Sequence, residues 1–181
     1  MPIFSGVIAS QISGRLWSGP QGAYDALASV TLASAVSSVT FSGIPTGYKH
    51  LQIRTINKVE SGTPDLWMRF NNDEGTNYKF HILRGSGSGP ATAESYIAAS
   101  ITNPVSTYFQ TSIIDIVDYN STSKLKTSKI FVGRDNNGVG EVGIWSHLWT
   151  ATPQAITSIT FIPSAAVNIS ASSTFALYGV K

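Results

Sequence analysis

Three histidines are the residues of this 181-residue chain best suited to proton transfer or metal binding. His50, His81 and His147 all lie in strand-like runs, and none lies within metal-ligand spacing of another. Their convergence on a zinc ion through the fold stays open as an alternative. The spacing favours a simpler interpretation, in which each imidazole packs at a strand edge with one hydrogen bond. It predicts no metal and no cofactor.

The ten acidic side chains and the many serines form no recognisable catalytic pattern. A glycosidase needs two carboxylates about 5–10 Å apart on facing strands, and no spacing in the chain marks such a pair. A G-x-S-x-G nucleophile elbow does not occur, and the glycine-rich loop 85–89 lacks the Lys-Ser/Thr of a phosphate-binding loop. The chain is therefore predicted not to be an enzyme. A glycan-degrading activity would require an acid pair that the sequence does not reveal.

Aromatic rings offer a different chemistry, the stacking of a flat ring on a ligand. Trp145, His147 and Trp149 alternate along one run, so a regular strand places them on one face. Two interpretations stay open: a Trp-His-Trp platform for a sugar ring, or two tryptophans that fill a hydrophobic core, which is the favoured one. Trp67 falls on the opposite face from its apolar neighbours, where it is a candidate interface residue.

The elements that position these side chains are predicted to be short strands. Runs rich in Val, Ile, Thr, Phe and Tyr are separated by Gly, Pro, Asn, Asp and Ser, and no amphipathic helix is evident. These runs are 28–32, 38–41, 50–56, 66–70, 78–83, 108–117, 129–134, 141–149, 155–162 and 174–180. The turn cluster 71–77 predicts a hairpin between two of them, and the turn 135–138 predicts another. The pattern predicts an all-β fold, an antiparallel β-sandwich of jelly-roll type.

The composition is unusual for a protein that stays soluble alone. Only 12% of the residues are charged, against about 25% in a typical domain, and the net charge is +2. This composition is typical of a protein whose surface is covered by copies of itself or by partners. The weak positive charge argues against nucleic acid, and no run of about 20 apolar residues predicts a membrane span.

Three segments carry a resemblance to a known family. They are VTFSGIPTGYKHLQIR (39–54), FNNDEGTNYKFHILRG (70–85) and ITSITFIPSAAVNISASSTFALYGVK (156–181). They resemble a β-rich virion protein family of tailed bacteriophages, especially those of cyanobacteria and other aquatic hosts, over roughly residues 25–181. The shared motifs are a TF-x-x-IP turn, an HLxIR strand, an FN-x-D-x-G-x-NY hairpin and an FxLYG ending. They are structural, so the resemblance implies a shell, decoration or fibre component and no catalytic residue.

The opening segment MPIFSGVIASQISGRLW precedes the first predicted strand and ends in the hinge-like run 18–22. It lacks the basic start and unbroken apolar run of a signal peptide. We expect residues 1–22 to form an anchoring arm with a Gly/Pro hinge, and residues 23–181 to form the sandwich domain. The arm would dock on a neighbouring subunit by adding a strand or by burying apolar side chains. Those side chains are Ile3, Phe4, Val7, Ile8, Ile12, Leu16 and Trp17.

These observations together predict a non-enzymatic phage virion protein, made in the host cytoplasm. The favoured role is a capsid cement or decoration protein, whose arm and sandwich edges bridge the major capsid protein or other virion subunits. The resemblance implies a homo-oligomer, most simply a trimer. The alternative is a tail-fibre or head-fibre component that binds host-surface glycan through Trp145, His147 and Trp149 or the loop 84–90.

Overall fold

The computed structural model of this chain describes residues 22–86, 92–96, 98–136 and 138–181, and of residues 136 and 139 the backbone only. Within these ranges the chain forms twelve β-strands and no helix. The strands are β1 (Tyr24–Thr31), β2 (Val39–Ser42), β3 (His50–Asn57), β4 (Leu66–Phe70), β5 (Tyr78–Gly85), β6 (Thr92–Tyr96), β7 (Ser100–Thr102), β8 (Gln110–Val117), β9 (Lys126–Asn136), β10 (Val139–Trp149), β11 (Ser158–Pro163) and β12 (Thr174–Val180). No helix long and apolar enough to cross a membrane occurs in the described residues.

The strands form two antiparallel sheets that pack face to face. The larger has eight strands in the order β1-β12-β3-β8-β9-β10-β5-β6, and the smaller has four in the order β2-β11-β4-β7. Neighbouring strands in both sheets run antiparallel. This arrangement confirms the predicted all-β antiparallel sandwich; its jelly-roll connectivity stays a prediction.

The core lies between the sheets because apolar residues alternate with polar ones along most strands. In β8 every second side chain is buried, and β4 and β5 alternate in the same way. Leu51, Ile53 and Thr55 share the buried face of β3, as the sequence predicts. The core is rich in aromatic rings; Phe161, for example, packs edge-on against Phe41 and in a tilted stack against Phe175.

The longest pair of neighbouring strands is the hairpin of β9 and β10, eleven residues each. The chain reverses at the predicted turn, where the Asp135 carboxylate accepts a hydrogen bond from the Gly138 N–H at 3.0 Å. Gly138 has a φ of 87°, a left-handed value that glycine adopts without steric cost. This hairpin forms the middle of the large sheet and supplies side chains to both of its faces.

The predicted hairpin at residues 71–77 is wrong. β4 pairs with β11 and β7 in the small sheet, whereas β5 pairs with β10 and β6 in the large one. The segment is therefore a corner that carries the chain across the sandwich. Asn71 and Asn72 both have left-handed φ values, 52° and 57°, which turn the backbone sharply out of the small sheet.

Buried hydrogen bonds hold this corner together. The Asp73 carboxylate accepts from the Trp149 indole N–H at 2.7 Å, the Asn77 amide at 2.9 Å and the Gly75 N–H at 2.8 Å. The Tyr78 hydroxyl accepts from the backbone N–H of residue 70 and donates to the Asp73 carbonyl. Burial alone raises the pKa of Asp73, but these hydrogen bonds outweigh it and hold the pKa below its usual value. The FN-x-D-x-G-x-NY motif is thus a structural corner.

Candidate functional site

The predicted aromatic platform lies inside the protein. Trp145, His147 and Trp149 do share one face of β10, but that face points into the core and each of the three is at most 2% exposed. His147 packs against Tyr78 at 5.5 Å and edge-on to Phe70 at 5.7 Å between ring centroids. The platform interpretation is therefore wrong, and the core interpretation of the tryptophans is confirmed.

His147 also departs from the expected hydrogen bonding. Neither of its ring nitrogens has a hydrogen-bond partner, whereas His50 accepts one from the Asp118 N–H at 3.0 Å. Complete burial lowers the pKa of His147 to about 3, because an apolar core disfavours the imidazolium. The side chain is a neutral core residue at ordinary pH. The described residues contain no group of three or more His, Cys, Asp or Glu side chains that could hold a metal ion.

Trp67 lies on the face opposite Leu66, Met68 and Phe70, as predicted, but it is only half-exposed. The Arg69 guanidinium covers its ring at 4.9 Å from the centroid. Its indole N–H is buried without a hydrogen-bond partner. An interface role for Trp67 stays a prediction. The arm residues predicted to bind a partner (Ile3, Phe4, Val7, Ile8, Ile12, Leu16 and Trp17) lie outside the described residues.

A chain of polar side chains, here called the polar network, crosses one end of the sandwich. Its first part lies on the large sheet, where the Tyr96 hydroxyl donates to Glu94 at 2.7 Å. The other oxygen of Glu94 meets the Arg84 guanidinium at 3.3 Å, and Arg84 in turn lies 3.8 Å from Glu141. Neighbouring side chains of the polar network hold each other in place, because each carboxylate accepts a hydrogen bond from a donor that is itself fixed by a second partner.

The second part of the polar network connects the two sheets. Glu141 also pairs with Arg134 at 3.3 Å, and Arg134 donates to the Asn103 carbonyl at 2.6 Å. The Asn103 amide then donates to Asp65 in a short hydrogen bond. Asn103 directly follows β7 and Asp65 directly precedes β4, so both belong to the small sheet. The full network is Tyr96, Glu94, Arg84, Glu141, Arg134, Asn103 and Asp65.

Five members of the polar network line a cleft of about 320 Å³: Asp65, Arg84, Glu94, Tyr96 and Asn103. Glu94 and Tyr96 pair across strands with Ile82 and Phe80, so they point to the inner side of the large sheet. Tyr96 is nevertheless 53% exposed, because β6 and β7 are edge strands and the sandwich opens between them. Phe80, Ile82 and Trp145 form the apolar part of the lining. The cleft therefore combines an apolar floor with a rim of paired charges.

Local geometry sets the position of Trp145 in this floor. A Cβ built on Gly143 would lie 2.3 Å from the Trp145 ring and 3.3 Å from the Arg84 side chain. The absence of a side chain at Gly143 thus lets the indole fold back along its own strand toward Arg84. A larger residue there would displace the ring from the cleft.

Two ionisable groups of the cleft are shifted by their surroundings. Burial raises the pKa of Asp65, although the hydrogen bond from Asn103, the charge of Arg84 and a hydrogen bond from Ser100 oppose the change. The hydrogen bond to Glu94 raises the pKa of the Tyr96 hydroxyl, because it favours the protonated phenol. The raised pKa of Tyr96 keeps its hydroxyl protonated at neutral pH, so it stays a hydrogen-bond donor at the cleft rim.

A second surface, the outer face of the large sheet, is apolar where solvent-facing residues are normally polar. Leu83, Ile144, Phe131 and Ile113 are direct cross-strand partners on β5, β10, β9 and β8. They are 53%, 54%, 52% and 42% exposed. We call these four side chains the apolar row. Val142, two residues before Ile144 on β10, extends it and is 55% exposed. A contiguous patch of this kind is characteristic of an interaction surface.

The sequence interpretation missed both surfaces. Members of the polar network come from six separate places in the chain, and only Glu94 and Tyr96 share a strand, so no spacing rule joins them. The apolar row has a weak signal in the runs ILR, IFV and GIW, where neighbouring apolar residues must face opposite sides of a strand. A continuous run predicts a strand buried on both faces, which here means one face in the core and one available to a partner.

The fold and these two surfaces define the class of this protein, an all-β sandwich with an apolar outer sheet face and a polar cleft at one open end. Comparisons with protein-family models, with curated proteins and with solved structures find no match for this chain.

Proposed function

We propose that this chain is a structural protein of a tailed-bacteriophage virion, a capsid cement or decoration protein that associates through the outer face of its large sheet. The phage context rests on the resemblance of three segments of the sequence. The association rests on the apolar row. In the proposed mechanism the protein acts mechanically, because sheet faces and arms bridge neighbouring capsid subunits and oppose their separation.

The apolar row is the single observation that carries the proposed association. Full burial of a Leu, Ile or Phe side chain contributes about 1.5–3 kcal/mol, so burying the exposed halves of these four contributes about 3–6 kcal/mol. Association costs offset part of this, and the surrounding sheet face must supply the remainder. A row that spans four adjacent strands is flat and wide enough to receive another sheet face.

The proposed occupant of the apolar row is a second copy of this chain. Asp115 and Lys129 are cross-strand partners beside the row, and Arg54 pairs with Ile113 at its end, so the face carries charges of both signs. A copy placed on this face can set each charge against its opposite. The low overall charge, 12% of residues, also weakens the repulsion between copies. Face-to-face contact of two rows closes a dimer. The trimer that the resemblance implies would need a second contact between copies, and the major capsid protein is the proposed further partner.

The association is tested by measuring the molar mass of the full chain in solution with light scattering after size exclusion. The Phe131→Glu variant places a charge in the middle of the apolar row and should shift the mass to that of a monomer. Leu125→Glu is the matched control, because Leu125 is also 43% exposed and apolar but precedes β9 outside the row. It should leave the oligomer intact. A wild-type monomer, or equal dissociation by both variants, would contradict the association.

The virion role is tested by quantitative mass spectrometry of purified phage particles. A cement protein should be present at a copy number comparable to that of the major capsid protein. A fibre component, the alternative function, should be present at a small fraction of it. The buried positions of Trp145, His147 and Trp149 remove the aromatic platform, one of the two surfaces on which that alternative was predicted. The other, the loop 84–90, lies outside the described residues from residue 87 on. We propose the cement role because the apolar row supports association.

A further inference from the structure

We propose that the cleft lined by the polar network binds a neutral saccharide ring. The ring would stack on the exposed ring of Tyr96, beside the buried side chains of Phe80 and Trp145, while Glu94, Arg84 and Asp65 bond its hydroxyls. This site differs from the predicted platform on β10, which is buried. It is also independent of the proposed virion role, because the apolar row lies on the opposite face of the same sheet.

The shape and lining of the cleft fit a ligand of this size. Its volume of about 320 Å³ lies at the lower end of the range for small-molecule sites, about 300–1,000 Å³. Most of the lining side chains here are polar, and the exposed apolar surface is mainly the ring of Tyr96, a composition closer to a sugar site than to an apolar pocket. Tyr96 packs against Phe80 with ring centroids 5.3 Å apart, so its ring is held in position while half of its surface remains exposed.

The charges of the cleft select a neutral ligand. Arg84 is paired with Glu94 at 3.3 Å and lies 3.8 Å from Glu141, so its charge is already compensated. An anion would have to compete with these carboxylates. A metal ion is disfavoured for the converse reason, since the guanidinium lies between the carboxylates. A cation-rich or anion-rich partner therefore gains little from this site.

Sugar hydroxyls match the polar groups that remain. Each hydroxyl donates one hydrogen bond and accepts others, so it can bond a carboxylate oxygen and a guanidinium N–H at the same time. The polar network fixes both kinds of group beforehand, which reduces the entropy that binding must remove. The carbon–hydrogen face of a pyranose ring then covers the apolar floor, whereas a flexible polar chain would leave this floor wet.

The proposal is tested on the full chain by two-dimensional amide NMR. The probes are methyl α-D-glucopyranoside, methyl β-D-galactopyranoside, methyl α-D-mannopyranoside and N-acetyl-D-glucosamine, with inorganic phosphate as an anionic comparison. We expect at least one saccharide to give saturable shifts at Arg84, Glu94, Tyr96 and the Trp145 indole. For a single ring the dissociation constant should be about 1 mM, as for a weak small-ligand site.

Matched variants separate the site from the fold. Tyr96→Ala removes the stacking surface and should weaken binding about tenfold. Tyr24→Ala is the control, because Tyr24 is 47% exposed at the other edge of the same sheet and should leave affinity unchanged. Glu94→Gln keeps the size of the side chain, removes its charge and should also weaken binding. It serves as the second test if Tyr96→Ala alters folding.

Three outcomes would overturn the proposal. The first is that no saccharide gives saturable shifts at the cleft up to about 100 mM, a concentration far above any specific dissociation constant. The second is that phosphate binds there and the saccharides do not, which would show that the site prefers anions. The third is that Tyr24→Ala weakens binding as much as Tyr96→Ala. None of these outcomes changes the light-scattering test of the apolar row, so failure of this site and failure of the proposed association are distinguishable.

Discussion

The buried imidazole of His147 should make the stability of this protein depend on pH in a defined window. Burial lowers its folded-state pKa to about 3 from the ordinary histidine value of 6.5. Between these two values the unfolded chain binds a proton at this side chain and the folded chain does not. Because protons then favour the unfolded state, the free energy of unfolding falls as the pH drops below about 6.5.

The size of the effect follows from the same two pKa values. Between pH 7 and pH 5 almost no proton binds to His147 in the folded state, while its unfolded form becomes nearly fully protonated. The corresponding loss is about 2 kcal/mol of the free energy of unfolding, at 1.36 kcal/mol for each pH unit below 6.5. This is a large part of the stability of an ordinary domain, about 5–15 kcal/mol.

Urea unfolding at pH 7 and pH 5 measures this loss directly, with His147→Leu as the test variant. The leucine is close in volume and removes the two unpartnered nitrogens, so we expect the variant to be at least as stable as the wild type at pH 7. Its loss between the two pH values should be about 2 kcal/mol smaller than that of the wild type. His81→Leu, on the solvent side of β5, is the control for removing a histidine. Equal losses in wild type and His147→Leu would refute the burial argument, because the folded protein would then take up the proton as readily as the unfolded chain.

Three further changes test other features. Asp73→Asn should destabilise the corner by about 2–4 kcal/mol, since it weakens three hydrogen bonds to a carboxylate. The difference from wild type should shrink in urea unfolding as the pH falls below about 4, because the unfolded chain then binds a proton at this carboxyl while the folded chain, whose Asp73 pKa is held lower, resists it. Gly143→Ala should lower the free energy of unfolding by about 1–3 kcal/mol and change the fluorescence of Trp145. Gly85→Ala is the control, because its Cβ would meet open space and should change neither. Equal effects of the two variants in thermal unfolding would contradict the close packing of Gly143 against the Trp145 ring. Deletion of residues 2–21 should leave the circular dichroism and the oligomer unchanged but abolish binding to particles stripped of this protein, and retained binding would contradict the anchoring arm.

The strands of this fold could be predicted where one face is buried. β4 and β8 alternate strictly in burial, because every second side chain must enter the core, and β3 does so except at buried Gln52. β6 and β7 were not predicted, since TAESY and SIT are short and carry no alternating apolar residues. Such strands form because a neighbour offers an edge to pair with, and a local pattern contains no information about that neighbour.

The sheet to which a strand belongs was harder to predict than the strand itself. β4 and β5 are joined by a turn sequence that is also typical of a hairpin, yet they belong to different sheets. The deciding contacts are long-range: Asn71 Oδ1 accepts hydrogen bonds from the Thr157 and Ser158 N–H groups, and Trp149 donates to Asp73. Partners about eighty residues away in the sequence fix the direction of the corner, so turn composition alone could not reveal it.

At the two candidate surfaces, the usual placement of side chains in a sandwich is reversed: on the same strands, apolar residues face solvent and charged residues face inward. On β5, Leu83 faces solvent while its neighbour Arg84 faces inward, and on β10 Ile144 faces solvent while Glu141 faces inward. Folding alone would favour the opposite arrangement, with apolar residues inside and charges outside. A one-residue shift in register would produce it, but that shift would also expose Phe80, Ile82 and Trp145. The register is thus set by the large core side chains; the inward charges compensate one another by pairing, and the exposed row is left on the outer face.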